Sequence, residues 1–310
     1  MEARMKIIDA HAHIVQCIAG FGSQGELRSC GNGKAVYASG QIIDMIPPQL
    51  GEVDVTPEKV IELMDAHGVE KAVLLQGNYF GFQNEYTWQA MQRYPDRFTG
   101  AATYDPFCVN KDKIRTHLFD ELGFKLLKFE VSNGSGLMSY HPPLPLDGEV
   151  MDETYSYAND KGLVFIIDIG RAGNPCWQIE NLRNAVLRYP DMKFVVCHLL
   201  APLQKDESVF VEGLKRLALP NVWFDLAALP ANQKPETYPY EHARHYLRLG
   251  KEIVGADRMM FGSDLPSTLC RDTYEHLVDY LSKSDVFTDA EKEMIFYDTA
   301  QKLYFAINGV

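Results

Sequence analysis

Short apolar runs alternate with helical segments along almost the whole of this 310-residue chain. Each run has the length of a buried strand, and in the segment after it apolar residues recur at the spacing of a helix. About eight such strand–helix units are present, and eight is the number that closes a (β/α)8 TIM barrel. The predicted strands are residues 7–13, 71–76, 98–104, 124–131, 163–169, 193–198, 222–226 and 258–261.

The predicted helices carry residues that are typical of helix ends. Thr56, followed by Pro57, is a typical N-cap, and Gly68 is a typical residue just past a helix C-terminus. The sequence Arg-Tyr-Pro-Asp recurs at residues 93–96 and 188–191, each time between a helix and the next strand. These features indicate a chain built from repeated helix–turn–strand units.

The competing architecture is a doubly wound open sheet. No glycine-rich phosphate-binding motif follows the first strand, and this counts against that architecture. No break in composition marks a linker between domains. We therefore expect one α/β domain over residues 1–310, with a C-terminal helix in residues 285–310.

Residues 14–55 interrupt the alternation with a long segment rich in glycine and polar residues. Long connections inside compact domains are usually functional or disordered. This one leaves the C-terminal end of the first strand, where barrel enzymes have their active site. We therefore predict a lid insertion that carries substrate contacts, with Arg28 as its candidate for binding an anionic group. A simple surface excursion is the alternative.

Composition restricts the class of partner. The formal net charge of −12 argues against nucleic acid, because binding to a phosphate backbone needs a basic surface. No apolar run approaches the length of a membrane span, and the N-terminal residues run into the first strand without room for a secretory signal. The six cysteines form no C-x-x-C pair, which is typical of reduced thiols. We expect a cytoplasmic protein with a small-molecule substrate, and a homodimer is one possible assembly.

Polar and ionisable residues stand at the C-terminal ends of several predicted strands whose bodies are apolar. In a barrel these ends surround the active site. Burying charged groups is costly unless they are paired or bound to a metal, so their accumulation needs a reason. The residues are His11 and His13, Lys128 and Glu130, Asp168 with Arg171 just beyond it, His198, and Asp264.

His11 and His13 are separated by one residue in the first predicted strand. Side chains at positions i and i+2 of a strand point to the same face, so the two imidazoles are expected side by side. Two neutral imidazoles at this spacing can share one divalent ion such as zinc. A hydrogen-bonded cluster without a metal is the alternative.

Three groups of motifs follow one another along the chain. They are His11-Ala12-His13, then Cys197-His198-Leu199 after Tyr189-Pro190-Asp191, and then Gly255-Ala256-Asp257-Arg258 leading to Phe261-Gly262-Ser263-Asp264-Leu265-Pro266. In order and spacing the chain resembles the amidohydrolase-related family over nearly its whole length. This is the branch of the amidohydrolase superfamily that includes aminocarboxymuconate-semialdehyde decarboxylase, related decarboxylases and lactone hydrolases. The last motif is the most specific.

The resemblance implies a distorted TIM barrel with one bound divalent metal, often zinc. In the family, two histidines of the first strand and an aspartate after the eighth strand are metal ligands, and these positions match His11, His13 and Asp264. A histidine at the end of the sixth strand often acts as the catalytic acid or base, and this position matches His198.

The chain departs from the family at the end of the fifth strand, where Asp168 replaces the remaining histidine ligand. A carboxylate can still bind zinc, and harder ligands shift the preference towards manganese or iron. A metal-free site stays open, as does pairing of Asp168 with Arg171. Glu130 ends the fourth strand, where some superfamily members hold a metal-bridging group. It is therefore a further candidate ligand, with a simple ion pair to Lys128 as the alternative.

We predict a metal-dependent hydrolase that acts on a small carboxylated or carbonyl-containing substrate through a metal-activated water. Asp264 would hold the ion and take a proton from that water, while His198 would donate to, or stabilise, the oxygen that develops charge. Substrate contacts are predicted for Arg171, Arg28 and Lys128. The same residues could serve a non-oxidative decarboxylase, and a non-catalytic ligand-binding or scaffold barrel is the alternative from another class.

Overall fold

A computed structural model describes residues 5–132, 141 and 144–306. Eight parallel strands form a nearly closed barrel with helices between them, as predicted. The strands, numbered along the chain, are β1 (Ile8–Ala12), β2 (Ala19–Gly22), β3 (Gly25–Gly31), β4 (Lys34–Tyr37), β5 (Ile42–Asp44), β6 (Lys71–Leu74), β7 (Phe98–Ala102), β8 (Leu126–Glu130), β9 (Val164–Asp168), β10 (Lys193–Val196), β11 (Val222–Asp225) and β12 (Met259–Met260). The barrel contains β1 followed by β6 to β12 in chain order.

Helices lie between and after the barrel strands, as the predicted alternation requires, and α7 is an additional short helix. They are α1 (Pro57–His67), α2 (Asn84–Arg93), α3 (Lys111–Arg115), α4 (Glu149–Asp160), α5 (Ile179–Arg188), α6 (Glu207–Leu217), α7 (Leu229–Asn232), α8 (Glu241–Ile253), α9 (Tyr274–Ser282) and α10 (Asp289–Glu293). Wider π-helical turns continue α3 over residues 116–121 and follow α10 over residues 294–298 and 301–305. Within the described ranges, no helix is both long enough and apolar enough to cross a membrane.

The first helix begins and ends where its sequence predicts. The Thr56 hydroxyl accepts a hydrogen bond from the Lys59 amide at 3.3 Å, which satisfies one of the free donors at the N-terminus of α1. Gly68 follows the last turn with φ +72°, a left-handed conformation that glycine adopts without steric cost. The predicted N-cap and the predicted C-terminal glycine are both confirmed.

Backbone hydrogen bonds close the barrel between its first and last strands. The Ala10 amide donates to the Phe261 carbonyl at 2.9 Å, and beyond the strands the Asp264 amide donates to the His11 carbonyl at 2.8 Å. Residues from the two ends of the chain therefore lie next to each other at the C-terminal edge of the barrel.

The inward-facing side chains of the strands form a buried cluster of their own. Ile8, Leu126 and Ile166 belong to it, and they alternate along the strands with residues that pack against the helices. Leu303 and Tyr304, from the last helical turn, join the same cluster. The C-terminal segment therefore packs against the inner core of the barrel.

The insertion after β1 is a folded four-stranded antiparallel sheet in the order β2-β3-β4-β5. Gly25 begins β3 with φ +92°, a value that suits the tight turn from β2. The sheet also pairs with the loop that follows β6, because Phe21 N donates to Asn78 O at 2.8 Å and Ala19 N donates to Phe80 O at 3.0 Å. The sequence did not predict these strands, since their glycine and polar residues obscure the alternation expected of a sheet.

Leu303→Ala tests the packing of the C-terminal segment against the barrel core. Leu303 is 1% exposed, so truncation leaves a cavity and is expected to lower the free energy of unfolding by about 2–5 kcal/mol. Leu187→Ala is the matched control, because Leu187 is 52% exposed and its loss should change that free energy by no more than about 0.5 kcal/mol. Urea-induced unfolding followed by circular dichroism measures both. Equal losses in the two variants would contradict this packing.

Candidate metal centre

His11 and His13 lie at the C-terminal end of β1 with their rings side by side. The ring centroids are 5.1 Å apart, and the residues are 1% and 5% exposed. Because side chains two residues apart in a strand share a face, both rings point into the same part of the barrel mouth. Two buried imidazoles at this distance need defined partners for their polar ring nitrogens.

The Nδ1 atom of each ring has an acceptor partner. His13 Nδ1 lies 2.8 Å from the Leu75 carbonyl oxygen, and His11 Nδ1 lies 3.0 Å from Asp225 Oδ2. A carbonyl oxygen only accepts, so Nδ1 of His13 carries the hydrogen, and the carboxylate of Asp225 favours the same tautomer in His11. Burial lowers the pKa of His11 despite its contact with Asp225, so that ring is neutral. The Nε2 lone pairs therefore remain available.

Both Nε2 atoms face one oxygen of Asp264. His13 Nε2 lies 3.1 Å and His11 Nε2 lies 3.5 Å from Asp264 Oδ1. A lone pair on Nε2 would repel the carboxylate oxygen at such distances, and a cation between the three groups would remove that repulsion. Two ligands of a tetrahedral zinc ion lie about 3.3 Å apart when each bond is about 2.0–2.1 Å long. The donor set and its spacing therefore fit one divalent ion.

Asp264 stays ionised in this setting. Burial alone would raise its pKa, but its contact with His13 and the nearness of His11 and His198 together lower the pKa of Asp264. Its backbone has φ +58°, a left-handed value that is strained for a residue other than glycine. The hydrogen bond from its amide to the His11 carbonyl holds this conformation and directs the carboxylate towards the two rings.

His198 follows β10 and lies 4.8 Å from His11, measured between ring centroids. Its Nδ1 is 2.9 Å from the Ala227 carbonyl oxygen, and its Nε2 is 3.5 Å from Asp168 Oδ2. Burial lowers the pKa of His198, but Asp168, Asp225 and other carboxylates outweigh burial and raise it to about 10. With an acceptor facing each nitrogen, the ring is a protonated imidazolium.

The backbone around His198 is unusual. Residues 198–201 have φ values of +61°, +46°, +63° and +45°, all in the left-handed region. Consecutive strained residues of this kind occur where a site needs a particular geometry. The amide of His198 is fixed by Asp225 Oδ1, which accepts a hydrogen bond from it at 2.8 Å. Asp225 therefore holds both His11 and His198.

Asp168 and Glu130, the two further predicted ligands, lie outside the group formed by His11, His13 and Asp264. Asp168 faces His198 and accepts a hydrogen bond from the Gly170 amide at 2.7 Å. This differs from the predicted alternative in which Asp168 pairs with Arg171.

Glu130 accepts hydrogen bonds from Asn78 N at 3.0 Å and from Ser132 Oγ at 2.7 Å. Lys128 Nζ lies 3.9 Å from Glu130 Oε2, which makes a loose ion pair between these two residues of β8. Their roles as a metal ligand and a substrate contact stay predictions.

The two arginines predicted to bind substrate do not line the cavity at the barrel mouth. Arg28 Nη1 donates to the carbonyl oxygens of Gly20 and Leu27, so this side chain stabilises the insertion sheet. Arg171 Nη2 donates to Asn232 Oδ1 at 3.2 Å, and it is Asn232 that reaches the cavity. Arg171 therefore reaches the cavity wall through Asn232, and the roles of both arginines as substrate contacts stay predictions.

A cavity of about 410 Å³ opens above the histidines. This volume suits a small molecule. His11, His13, His198 and Asp264 line it together with Lys128, Glu130 and Asp168. The insertion sheet and the residues just after it form part of its wall through Gln24, Tyr37, Gln41, Ile43, Asp44 and Met45.

Two features of the site were missed in the sequence. Asp225 ends β11 directly after apolar residues. The search for ionisable residues at the C-terminal ends of apolar strands, which found Asp168, would therefore have found Asp225 as well. Asp9 is fully buried and accepts hydrogen bonds from Ser263 Oγ at 2.6 Å and Tyr274 Oη at 2.8 Å. No local signal in the sequence pairs Asp9 with partners so far along the chain.

Comparison with known proteins agrees with this fold. A family model described as amidohydrolase matches residues 8–306. No curated protein sequence matches the chain.

Several solved structures share the architecture. A probable 2-pyrone-4,6-dicarboxylic acid hydrolase from Acinetobacter baumannii, with citric acid bound, is 16% identical, with a TM-score of 0.68 over 96% of this chain and 98% of that chain. An amidohydrolase from Burkholderia multivorans with bound zinc is 14% identical, with a TM-score of 0.71 over 96% and 98%. The 5-carboxyvanillate decarboxylase of Sphingomonas paucimobilis is 15% identical, with a TM-score of 0.54 over 79% and 81%. At these identities the likeness shows the shared fold alone.

Asp225→Asn tests the support of His11. The Asp225 carboxylate contacts His11 Nδ1 and accepts a hydrogen bond from the His198 amide. An amide in its place has only one acceptor oxygen and turns an N–H group towards one of these two donors, so His11 should lose its fixed orientation. We expect zinc affinity, measured by competition with a chromophoric chelator, to fall about 10–100-fold. Asp257→Asn is the control, because the Asp257 side chain is 69% exposed. Unchanged zinc affinity in Asp225→Asn would contradict the assigned role.

Proposed function

This chain belongs to the amidohydrolase family, and we propose that it is a metal-dependent hydrolase acting on a small carboxylated or carbonyl-containing substrate. The observation that carries the proposal is the convergence of two imidazole Nε2 atoms and one carboxylate oxygen within a buried cavity. His11, His13 and Asp264 would hold one divalent ion, for which zinc is the first candidate and manganese or iron are alternatives. A divalent ion at such a site polarises a substrate oxygen and lowers the pKa of water.

Asp264 supplies the base in this proposal. Both of its contacts with the histidines are made by Oδ1, so Oδ2 is the oxygen available to take a proton from an attacking water. Its lowered pKa keeps the carboxylate ionised at neutral pH. The fixed backbone of this turn keeps that oxygen within the cavity.

His198 supplies the acid. Its protonated ring lines the same cavity, with Nδ1 tied to the Ala227 carbonyl and Nε2 only loosely paired with Asp168. A proton at Nε2 can stabilise, or pass to, a substrate oxygen on which negative charge develops. Asp264, which is ionised, can therefore act as the base, and His198, which is protonated, can act as the acid.

The charge around the cavity favours an anionic substrate once the ion is bound. Four carboxylates and three fixed cations among the described residues line the cavity. They are Asp44, Glu130, Asp168 and Asp264, and Lys128, Lys234 and Arg271. A divalent ion and the protonated His198 turn this small negative excess into a net positive charge, so attraction of a carboxylate depends on the metal.

Decarboxylation is the second candidate reaction. The 5-carboxyvanillate decarboxylase shares the fold, and a protonated His198 could deliver a proton to carbon as carbon dioxide leaves. We favour hydrolysis because the probable dicarboxylic acid hydrolase aligns over nearly its whole length, whereas the decarboxylase aligns over about four fifths. Product analysis separates them, since decarboxylation releases carbon dioxide and hydrolysis consumes water. A non-catalytic barrel would show neither release of carbon dioxide nor hydrolysis.

His13→Ala tests the metal site. We expect about one zinc per chain in the wild-type protein and almost none in His13→Ala, because one of the ligands is lost. Chelation should abolish turnover of carboxylated esters and lactones, and added zinc should restore it. His117→Ala is the control, since its side chain is 46% exposed and pairs with glutamates on the surface. Elemental analysis and turnover assays give both readouts. Full turnover after verified removal of metal would refute the proposal.

His198→Asn separates the acid from the metal site. The variant should keep its zinc, because His198 is not one of the three proposed ligands. Turnover should fall at least about 100-fold, the usual contribution of a positioned acid or base. An unchanged kcat with unchanged zinc content would remove His198 from the mechanism.

A further inference from the structure

Lys128 is a buried cation without a close acceptor. The residue is 3% exposed and lines the cavity. Its nearest ion-pair partner is Glu130 Oε2 at 3.9 Å, which is beyond hydrogen-bond distance. Within the described ranges, no other residue accepts a hydrogen bond from Nζ. A buried ammonium group in this state is costly, so the three donors of Lys128 point to an acceptor supplied by a ligand.

Tyr79 brings a second donor to the same region. It lines the cavity, and the charges of Glu130 and Asp168 act on it as they do on Lys128. No partner for its hydroxyl is found in the part of the chain that the structure describes. Burial, with Glu130 next in importance, raises the pKa of Tyr79, so the phenol keeps its proton. An uncharged hydroxyl in the same cavity as Lys128 can donate to an anionic oxygen.

The insertion sheet holds the backbone of Tyr79 from both sides. Phe21 N donates to the carbonyl of the residue before Tyr79 at 2.8 Å, and Ala19 N donates to the carbonyl of the residue after it at 3.0 Å. Gly20 lies between these two donors, and a Cβ there would be 1.9 Å from the Tyr79 carbonyl oxygen. The close approach of β2 therefore requires glycine and fixes the Tyr79 backbone at the cavity wall.

We propose that Tyr79 and Lys128 together bind a carboxylate oxygen of the substrate and that the insertion sheet serves to position Tyr79 for this contact. This assignment rests on the proposed hydrolase function and specifies how its substrate is held. It makes the substrate a carboxylate-bearing molecule whose anionic group lies beside Glu130. It also makes the insertion a fixed wall of the site, where the sequence predicts a lid.

Tyr79→Phe tests the contact by removing a single hydroxyl. The probe is isophthalate, a rigid dicarboxylate whose second carboxylate remains available when the first lies at the metal. Isothermal titration of the zinc-loaded protein should show isophthalate binding at least about tenfold weaker in Tyr79→Phe than in the wild type, as expected for a lost hydrogen bond to a charged group. Tyr86→Phe is the matched control, because Tyr86 lies outside the cavity lining, and its affinity should be unchanged.

Lys128→Gln and the double variant show whether both residues bind the same carboxylate. If they do, the double variant should lose less affinity than the product of the two single losses, because each contact supports the other. Losses that simply multiply would overturn the shared contact. Gly20→Ala should weaken isophthalate binding in the same way while zinc content stays at the wild-type level.

Zinc content measured on the same samples separates the two hypotheses. A wild-type protein that takes up neither zinc nor manganese nor iron contradicts the proposed function. Normal zinc uptake with an isophthalate affinity that Tyr79→Phe leaves unchanged, or with no isophthalate binding to the wild type, overturns the role of Tyr79 and leaves the metal site intact.

Discussion

The structure depends on the close convergence of two imidazoles and a carboxylate in a buried setting. His11, His13 and Asp264 direct two lone pairs and a carboxylate oxygen at one another across 3.1 to 3.5 Å in a buried setting. Such an arrangement costs free energy in a low-dielectric environment unless a positive charge lies between the groups. Surrounding hydrogen bonds hold it, since Asp225 and the Leu75 carbonyl engage the far nitrogen of each ring. Functional sites often contain arrangements of this kind, which lower the stability of the folded protein.

The closure of the barrel creates this arrangement. Asp9, on β1, is fully buried and accepts two hydrogen bonds from Ser263 and one from Tyr274. Burial raises the pKa of Asp9 to about 6, although each of these hydrogen bonds favours the ionised form. Asp9 thereby joins the first strand to the turn that carries Asp264. The contacts that close the barrel therefore also bring Asp264 next to His11 and His13.

Much of this could be predicted from the sequence because it depends on local patterns. Strand and helix positions follow from hydrophobic spacing. His11, His13, His198 and Asp264 were found because they are ionisable residues at the C-terminal ends of apolar strands. The insertion sheet, the position of Tyr79 and the partners of Asp9 could not be predicted, because they depend on contacts between distant segments. The substrate contact of Arg28 was predicted from its charge alone, whereas its guanidinium donates hydrogen bonds to carbonyl oxygens of the insertion sheet. A cytoplasmic location, a homodimer and the absence of nucleic-acid or membrane partners rest on composition and stay predictions.

X-ray absorption spectroscopy of the zinc-loaded protein tests the central claim most directly. Our account predicts a first shell of nitrogen at about 2.0–2.1 Å and oxygen at about 2.0–2.2 Å, from two imidazoles and a carboxylate. A second group, His11 with Cys197 and Asp225, also lies close enough together to hold an ion. A sulfur neighbour at about 2.3 Å would place the zinc there and contradict the account.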